Sequence, residues 1–182
     1  MKGLAGNYNP GTLRKHYKEI ISGPPWRSLC GHKLFAMPDA LIAILLSLAA
    51  VTGTTIFHFE ALRLVDRFSR RQLHAYIIAP TVISLVIASH LLEIGAYTWI
   101  YIVADNVLDI GSFSPVNPGA LGMFYFAAET YSSLGLDDVM PHGALRLIVS
   151  IGSINGILLL AWSGSFLFAF ANRFHRLSDN SL

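Results

Sequence analysis

The sequence predicts an all-α membrane protein, with three transmembrane helices and a shorter helix that enters and leaves the bilayer between the second and the third. The first observation behind this is compositional. Of 182 residues, 53% are apolar and only 13% charged, and the mean hydropathy is +0.52, where a soluble domain carries roughly 25% charge. The second is that three stretches are long and apolar enough to cross a membrane, while a fourth is apolar but too short. A chain of this length holds three or four spans and little else, so any site is built inside the bilayer or by several copies around an axis. The single Cys30 excludes an intrachain disulfide. No catalytic constellation, resident cofactor or nucleic-acid surface is expected.

Residues 40–57 run for 18 positions without a charge, close to the ~20 needed to cross a hydrocarbon core of about 30 Å. They form the first span. Residues 75–104 form the second, and at 30 residues an unbroken helix would measure roughly 45 Å, so it must tilt or project. This span contains His90 and Glu93, three apart on one helix face. Ionisable groups inside a span usually face protein or water, so the pair is expected either to hydrogen-bond internally or to sense protons on an ion path, His titrating near neutral pH. His58, near the end of the first span, adds a second membrane histidine, and two such histidines on neighbouring spans are also a haem-ligating pattern. Residues 147–172 give the third span, ending at Arg173 and Arg176. Its small residues, Ser150, Gly152, Ser153, Gly156, Ser163 and Gly164, suit close helix contacts. Tyr97, Trp99, Tyr101 and Trp162 read as interface anchors or packing, Trp99 and Tyr101 near the outer surface.

Between the second and third spans, Asn117-Pro118-Gly119 predicts a helix start, with Asn as N-cap and Pro at the first helical position. The apolar body 120–128 follows, then 129–133 and Gly135. About 15 residues make only ~22 Å, so this helix enters and returns. Non-helical backbone at membrane depth is tolerated where protein buries it or water runs beside it, which points to a pore or cavity.

The residues that follow, "TYSSLGLDDVMP", resemble the pore signature of the potassium-channel superfamily, in which Thr-Val-Gly-Tyr-Gly-Asp or a close variant follows a short pore helix. Ser133, Leu134, Gly135, Leu136, Asp137 and Asp138 occupy the six filter places. Gly135 keeps the first glycine and Asp138 the acid, while Leu136 replaces the aromatic and Asp137 the second glycine. "SHLLEIGAYTWIY" and "NGILLLAWSGSFLF" likewise resemble the outer and inner helices of small bacterial two-helix channels, so the likeness covers about residues 37–170. The resemblance implies a homotetrameric cation channel in which four filter loops aim backbone carbonyls at one axis. It implies that Glu129, with Thr130 and Ser132, supports the filter from behind and pairs with Asp138, and it makes Gly156, 21 residues after Gly135, a candidate hinge of the inner helix. Four copies would gather Asp137 and Asp138 as up to eight carboxylates at the mouth, a metal-binding ring suited to Ca2+ or to monovalent K+ and Na+. A filter that stays K+-selective despite Asp137, and a non-conducting subunit that lost the filter, are the alternatives. As a plain surface turn, "LDDVMPHG" is also good turn chemistry.

The charges set an orientation. Arg63, Arg67, Arg70 and Arg71 lie between the first two spans, Arg173 and Arg176 follow the third, and residues 105–143 contain no Lys or Arg. The pore loop is therefore expected outside and the C-terminus in the cytoplasm, in a bacterial inner membrane. Lys2, Arg14, Lys15, Lys18, Arg27 and Lys33 conflict with this, because three spans put the N-terminus outside. Either residues 1–36 lie on the outer surface, or they are a basic segment with a role of their own, or the protein starts at Met37; the last reading is favoured, with 1–36 a basic, disordered leader. Residues 37–74 then form the first span and basic loop, 75–172 the pore domain, and 173–182 a short tail.

Overall fold

The first helix, α1, Met37–Ser69, continues well past the uncharged stretch that defines it in the sequence, because its charges fall on one side. A computed structural model describes residues 37–70, 75–114, 118–135 and 139–179, without the side chains of 75, 76 and 174–179. The expected leader 1–36 thus lies outside the described residues, as do Arg71, Asn117, Leu136, Asp137 and Asp138. Along the second half of α1, Met37–Ser69, residues Leu62, Val65 and Ser69 are buried while Glu60, Arg63 and Arg67 are exposed. The amphipathic 3.6-residue pattern thus extends the helix beyond its apolar stretch.

Helix α2 spans Ala75–Asn106, β1 Gly111–Ser114, the short α3 Gly119–Ser132, β2 Met140–Gly143, and α4 Leu145–Asp179. Three helices, over 37–69, 77–106 and 145–173, are long and apolar enough to cross a membrane. Helix α3 has 14 residues, about 21 Å at 1.5 Å each, and is too short to do so. Its start differs from expectation. Pro118 is the N-cap, in helical geometry and with no side-chain cap, and Gly119 follows at φ 74°; Pro118 was expected one place further in. Helix α4 runs past residue 172, where the tail was expected to begin, because nothing helix-breaking follows Arg173.

Two short strands bracket α3. β1 pairs antiparallel with β2, Gly111 opposite Gly143 and Ser114 opposite Met140, so the chain leaving α2 and the chain entering α4 are tied together while α3 and the segment after it lie between. The glycine pair is required here. Gly143 has φ 65°, and a Cβ on it would lie 3.1 Å from the Gly111 Cα and the Ile110 carbonyl. Phe113 of β1 packs edge-on against Phe126 of α3 at 5.3 Å and against Tyr101 of α2 at 6.2 Å, which fixes the hairpin to the helices. Pro141 sits in β2, in a two-stranded ribbon in which each strand is an edge and a missing N–H can be tolerated.

Helix α4 carries the inward stripe that joins everything else. Leu145, Ile148, Val149, Gly152, Asn155, Gly156, Leu159 and Ser163 are all buried, at the three- and four-residue spacing of one helix face. Of the small residues expected to make contacts, Gly152, Gly156 and Ser163 do so; Ser150 and Gly164 are exposed, and Ser153 is half-buried. A Cβ at Gly152 would stand 2.8 Å from the Tyr97 ring, and one at Gly156 would stand 2.9 Å from Tyr131 Cγ and 3.0 Å from its carbonyl carbon. Gly156 thus lets α4 touch the backbone of α3, and α4 is helical straight through it. Tyr97 and Tyr101 are fully buried, not at a lipid interface, whereas Trp99 is exposed.

This packing makes Gly156 intolerant of even one methyl group. Gly156→Ala should cost about 1–3 kcal/mol through overpacking against Tyr131 and lower the thermal midpoint of the detergent-solubilised protein. Gly53→Ala, where nothing lies within 4 Å, should leave it unchanged. Equal midpoints for the two variants would contradict the contact.

Candidate functional site

The end of α3 presents the start of the expected filter. Ser133 caps the helix in the left-handed region, φ 58° and ψ 31°, and its N–H donates to the Thr130 carbonyl at 3.3 Å while the Leu134 N–H donates to the Glu129 carbonyl at 2.9 Å. These bonds satisfy two of the four carbonyls that end the helix, as a left-handed cap does. Gly135 follows at φ 61°. The Thr130 and Ser132 hydroxyls turn back on their own helix, to the Phe126 carbonyl at 2.9 Å and the Ala128 carbonyl at 2.7 Å. They therefore brace α3 itself. Ser133 Oγ lies 3.3 Å from Ser153 Oγ on α4. Beyond this contact Leu134 and Gly135 are exposed, and Glu129 is half-buried. Leu136 and the expected cation ligands Asp137 and Asp138 lie outside the described residues, and with them the expected Glu129–Asp138 pair.

Two residues before Ser133, the Tyr131 side chain enters a buried polar cluster that draws on all four helices. The expected His90–Glu93 pair is there, with His90 Nδ1 3.2 Å from Glu93 Oε2, but it is part of a larger arrangement. His58 Nδ1 of α1 lies 2.7 Å from Glu93 Oε1. The Tyr131 hydroxyl of α3 donates to Glu93 Oε2 and lies 2.8 Å from His90 Nδ1. Ser163 Oγ of α4 sits 2.9 Å from His90 Nε2 and 3.2 Å from His58 Nε2. Glu93 is 1% exposed and His58 0%, so these contacts replace water entirely; a buried charge without such partners would be expensive. The two imidazoles are 5.1 Å apart, centroid to centroid, and share Ser163, which leaves no room for a porphyrin between them. Trp162 packs on the His58 ring at 5.7 Å.

Sequence reasoning found His90 and Glu93 from their spacing on one helix, but it did not join His58, Tyr131 and Ser163 to them. The available signal was a single one: His58 and Ser163 are polar residues inside spans, and a polar group in lipid seeks a partner. Asn155 carried the same signal and was missed. Its amide donates to Thr54 Oγ1 of α1 at 2.8 Å and to the Tyr97 hydroxyl of α2 at 3.0 Å, a second polar bridge across three helices. A third lies where α1 and α4 end, where Arg173 donates to Asp66 at 3.0 Å and to Ser69 Oγ, while Arg70 holds the other Asp66 oxygen.

Residues 86–173 match the family model described as ion channel. The matched stretch begins in α2 just ahead of His90, contains the hairpin, α3 and residues 133–138, and ends at Arg173 of α4. Helix α1, and with it His58, precedes it. No curated protein and no solved structure shows significant similarity to the chain. Two long apolar helices flanking a short one are the frame of this match: the chain is an integral membrane protein, and its residues 86–173, just under half of its length, are similar to the ion channel family.

Proposed function

We infer that four copies of this chain surround one pore and conduct cations through an acidic, non-standard potassium-type filter formed by residues 133–138. The observation that carries this reading is the chain geometry after α3. At Ser133 the helix stops in a left-handed turn, Gly135 again has positive φ, and among the described residues no hydrogen bond is accepted by the carbonyls of Ser133, Leu134 or Gly135. Backbone left unpaired at membrane depth must be met by water or ions. One loop cannot surround an ion, whereas four loops supply rings of oxygens. Asp137 and Asp138 would stand at the mouth as the carboxylate ring, admitting or being blocked by divalent cations, and Glu129 would brace Asp138 from behind. The absence of Lys and Arg from 105–143 supports a pore loop outside and a cytoplasmic C-terminus, and the resemblance to small bacterial channels suggests a bacterial inner membrane. Catalysis has no part in this reading.

Assembly gives the first test. Mass measurement of the purified protein in mild detergent should return a tetramer, and a stable monomer or dimer would remove the pore while leaving the three spans standing.

Flux through liposomes gives the second. Asp137→Asn removes up to four negative charges per tetramer, so Ca2+ permeation or block should weaken while monovalent flux survives. Asp137→Gly also restores freedom to adopt positive φ and should shift selectivity toward K+. If both variants keep the parent's ion preference and Ca2+ sensitivity, Asp137 does not face the ions. A parent that is already K+-selective supports the alternative of a potassium channel that tolerates Asp137, and assembled tetramers without flux support a non-conducting subunit.

A further inference from the structure

We propose that His58, His90 and Glu93 form a binding site for one divalent transition-metal ion of the Zn2+ class. Each of the three residues offers a ligand atom, all within 4.8 Å of one another, and all three side chains are buried. Two imidazoles and one carboxylate are a Zn2+ donor set, with the ion roughly 2.0–2.1 Å from each ligand. Two ligands of a tetrahedral ion at that range are about 3.3 Å apart. His58 Nδ1 to Glu93 Oε1, at 2.7 Å, and His90 Nδ1 to Glu93 Oε2, at 3.2 Å, are near that spacing, each to a different oxygen of the one carboxylate.

The arrangement of the outer partners is the second, independent observation. Both Nδ1 atoms face the carboxylate and both Nε2 atoms face the same hydroxyl, Ser163 Oγ, at 2.9 and 3.2 Å. A metal-bound histidine gives a lone pair from one nitrogen and donates N–H from the other to an oxygen that fixes its orientation. With an ion held by the two Nδ1 atoms, both Nε2–H groups donate to the two lone pairs of Ser163, and each ring nitrogen has its complement. Without an ion, one Nε2–H donates to Ser163 Oγ and the Ser163 hydroxyl donates to the other Nε2, which leaves one Nδ1 lone pair to be met by a proton, by the Tyr131 hydroxyl 2.8 Å from His90 Nδ1, or by an ion. The Tyr131 hydroxyl, donating to Glu93 Oε2, orients the carboxylate in the same way. An ion here would bolt α1 to α2, and through Tyr131 and Ser163 would fix the end of α3 against α4.

A cavity of about 530 Å3 opens beside Glu93 between α1 and α2, but its other walls, such as Gly53, Phe57, Leu92 and Ala96, are nearly all apolar. The ion is therefore loaded as the helices pack, and the test supplies metal during growth. The full chain is expressed with added Zn2+, purified in mild detergent without chelator, and analysed by inductively coupled plasma mass spectrometry. The expected result is about one Zn2+ per chain, falling to background in Glu93→Gln. In Ser163→Ala, which keeps the ligands and loses their orienting oxygen, affinity should fall about 10- to 100-fold. Protein grown with Co2+ should show the visible absorption of tetrahedral cobalt, a readout of the unaltered chain that does not depend on any variant folding. Folded wild-type protein that holds neither metal overturns the proposal and leaves the cluster closed by protons. Metal retained equally in Glu93→Gln also overturns it, as an adventitious ion bound elsewhere. Neither readout uses ion flux, so the site stands or falls separately from the channel reading.

Discussion

A carboxylate in the middle of a membrane helix cannot turn to water and must find every partner inside the protein, and Glu93 imposes that requirement on the whole chain. Insertion scales put the cost of an acid at a helix centre at about 2.5–3.5 kcal/mol even with local relaxation. Here the side chain is 1% exposed and its two oxygens are met by His58, His90 and Tyr131. Those partners come from α1, α2 and α3, and the histidines are in turn held by Ser163 of α4. Satisfying one acid thus requires all four helices at once. Lipid offers no hydrophobic force to push helices together, so polar bridges of this kind carry much of the specificity of packing.

The same bridges explain how an additional helix joins the packed unit that contains the matched stretch. Helix α1 lies outside the stretch that matches the channel family, yet it is tied to that stretch at three levels: Thr54 to Asn155, His58 to Glu93 and Ser163, and Asp66 to Arg173. The middle level reaches Tyr131, two residues before the chain turns left-handed at Ser133. Gly156 brings α4 against the Tyr131 backbone from the other side. The position of Ser133 and Leu134 is thereby referred to a buried polar cluster and to the packed helix α4.

What the sequence made legible follows from how local each signal is. Spans are written in runs of apolar residues, and all three appear as helices, α1 longer than its uncharged stretch because Leu62 and Val65 carry the inward face onward among charges, and α4 longer because nothing helix-breaking follows Arg173. The short α3 was legible from its length and from the Gly135 stop. His90 and Glu93 were legible because three residues of helix bring them to one face. Their partners were not, since His58 and Tyr131 are 35 and 38 positions from Glu93 and meet it only once helices pack. The β1–β2 pair gave no warning: Gly-Ser-Phe-Ser and Met-Pro-His-Gly have little strand character, and their pairing follows from closing the chain around α3. Asn155 hid in a stripe of small and apolar residues, where one amide does not disturb the period.

Current is the property from which this account draws its meaning, and charge selectivity is its most direct measure. With the purified protein in a planar bilayer between unequal KCl solutions, a tetrameric pore with a carboxylate mouth predicts a reversal potential near the cation equilibrium value, moving further when Ca2+ replaces K+ on one side. A reversal potential at the chloride value, or assembled protein that passes no current, would contradict it.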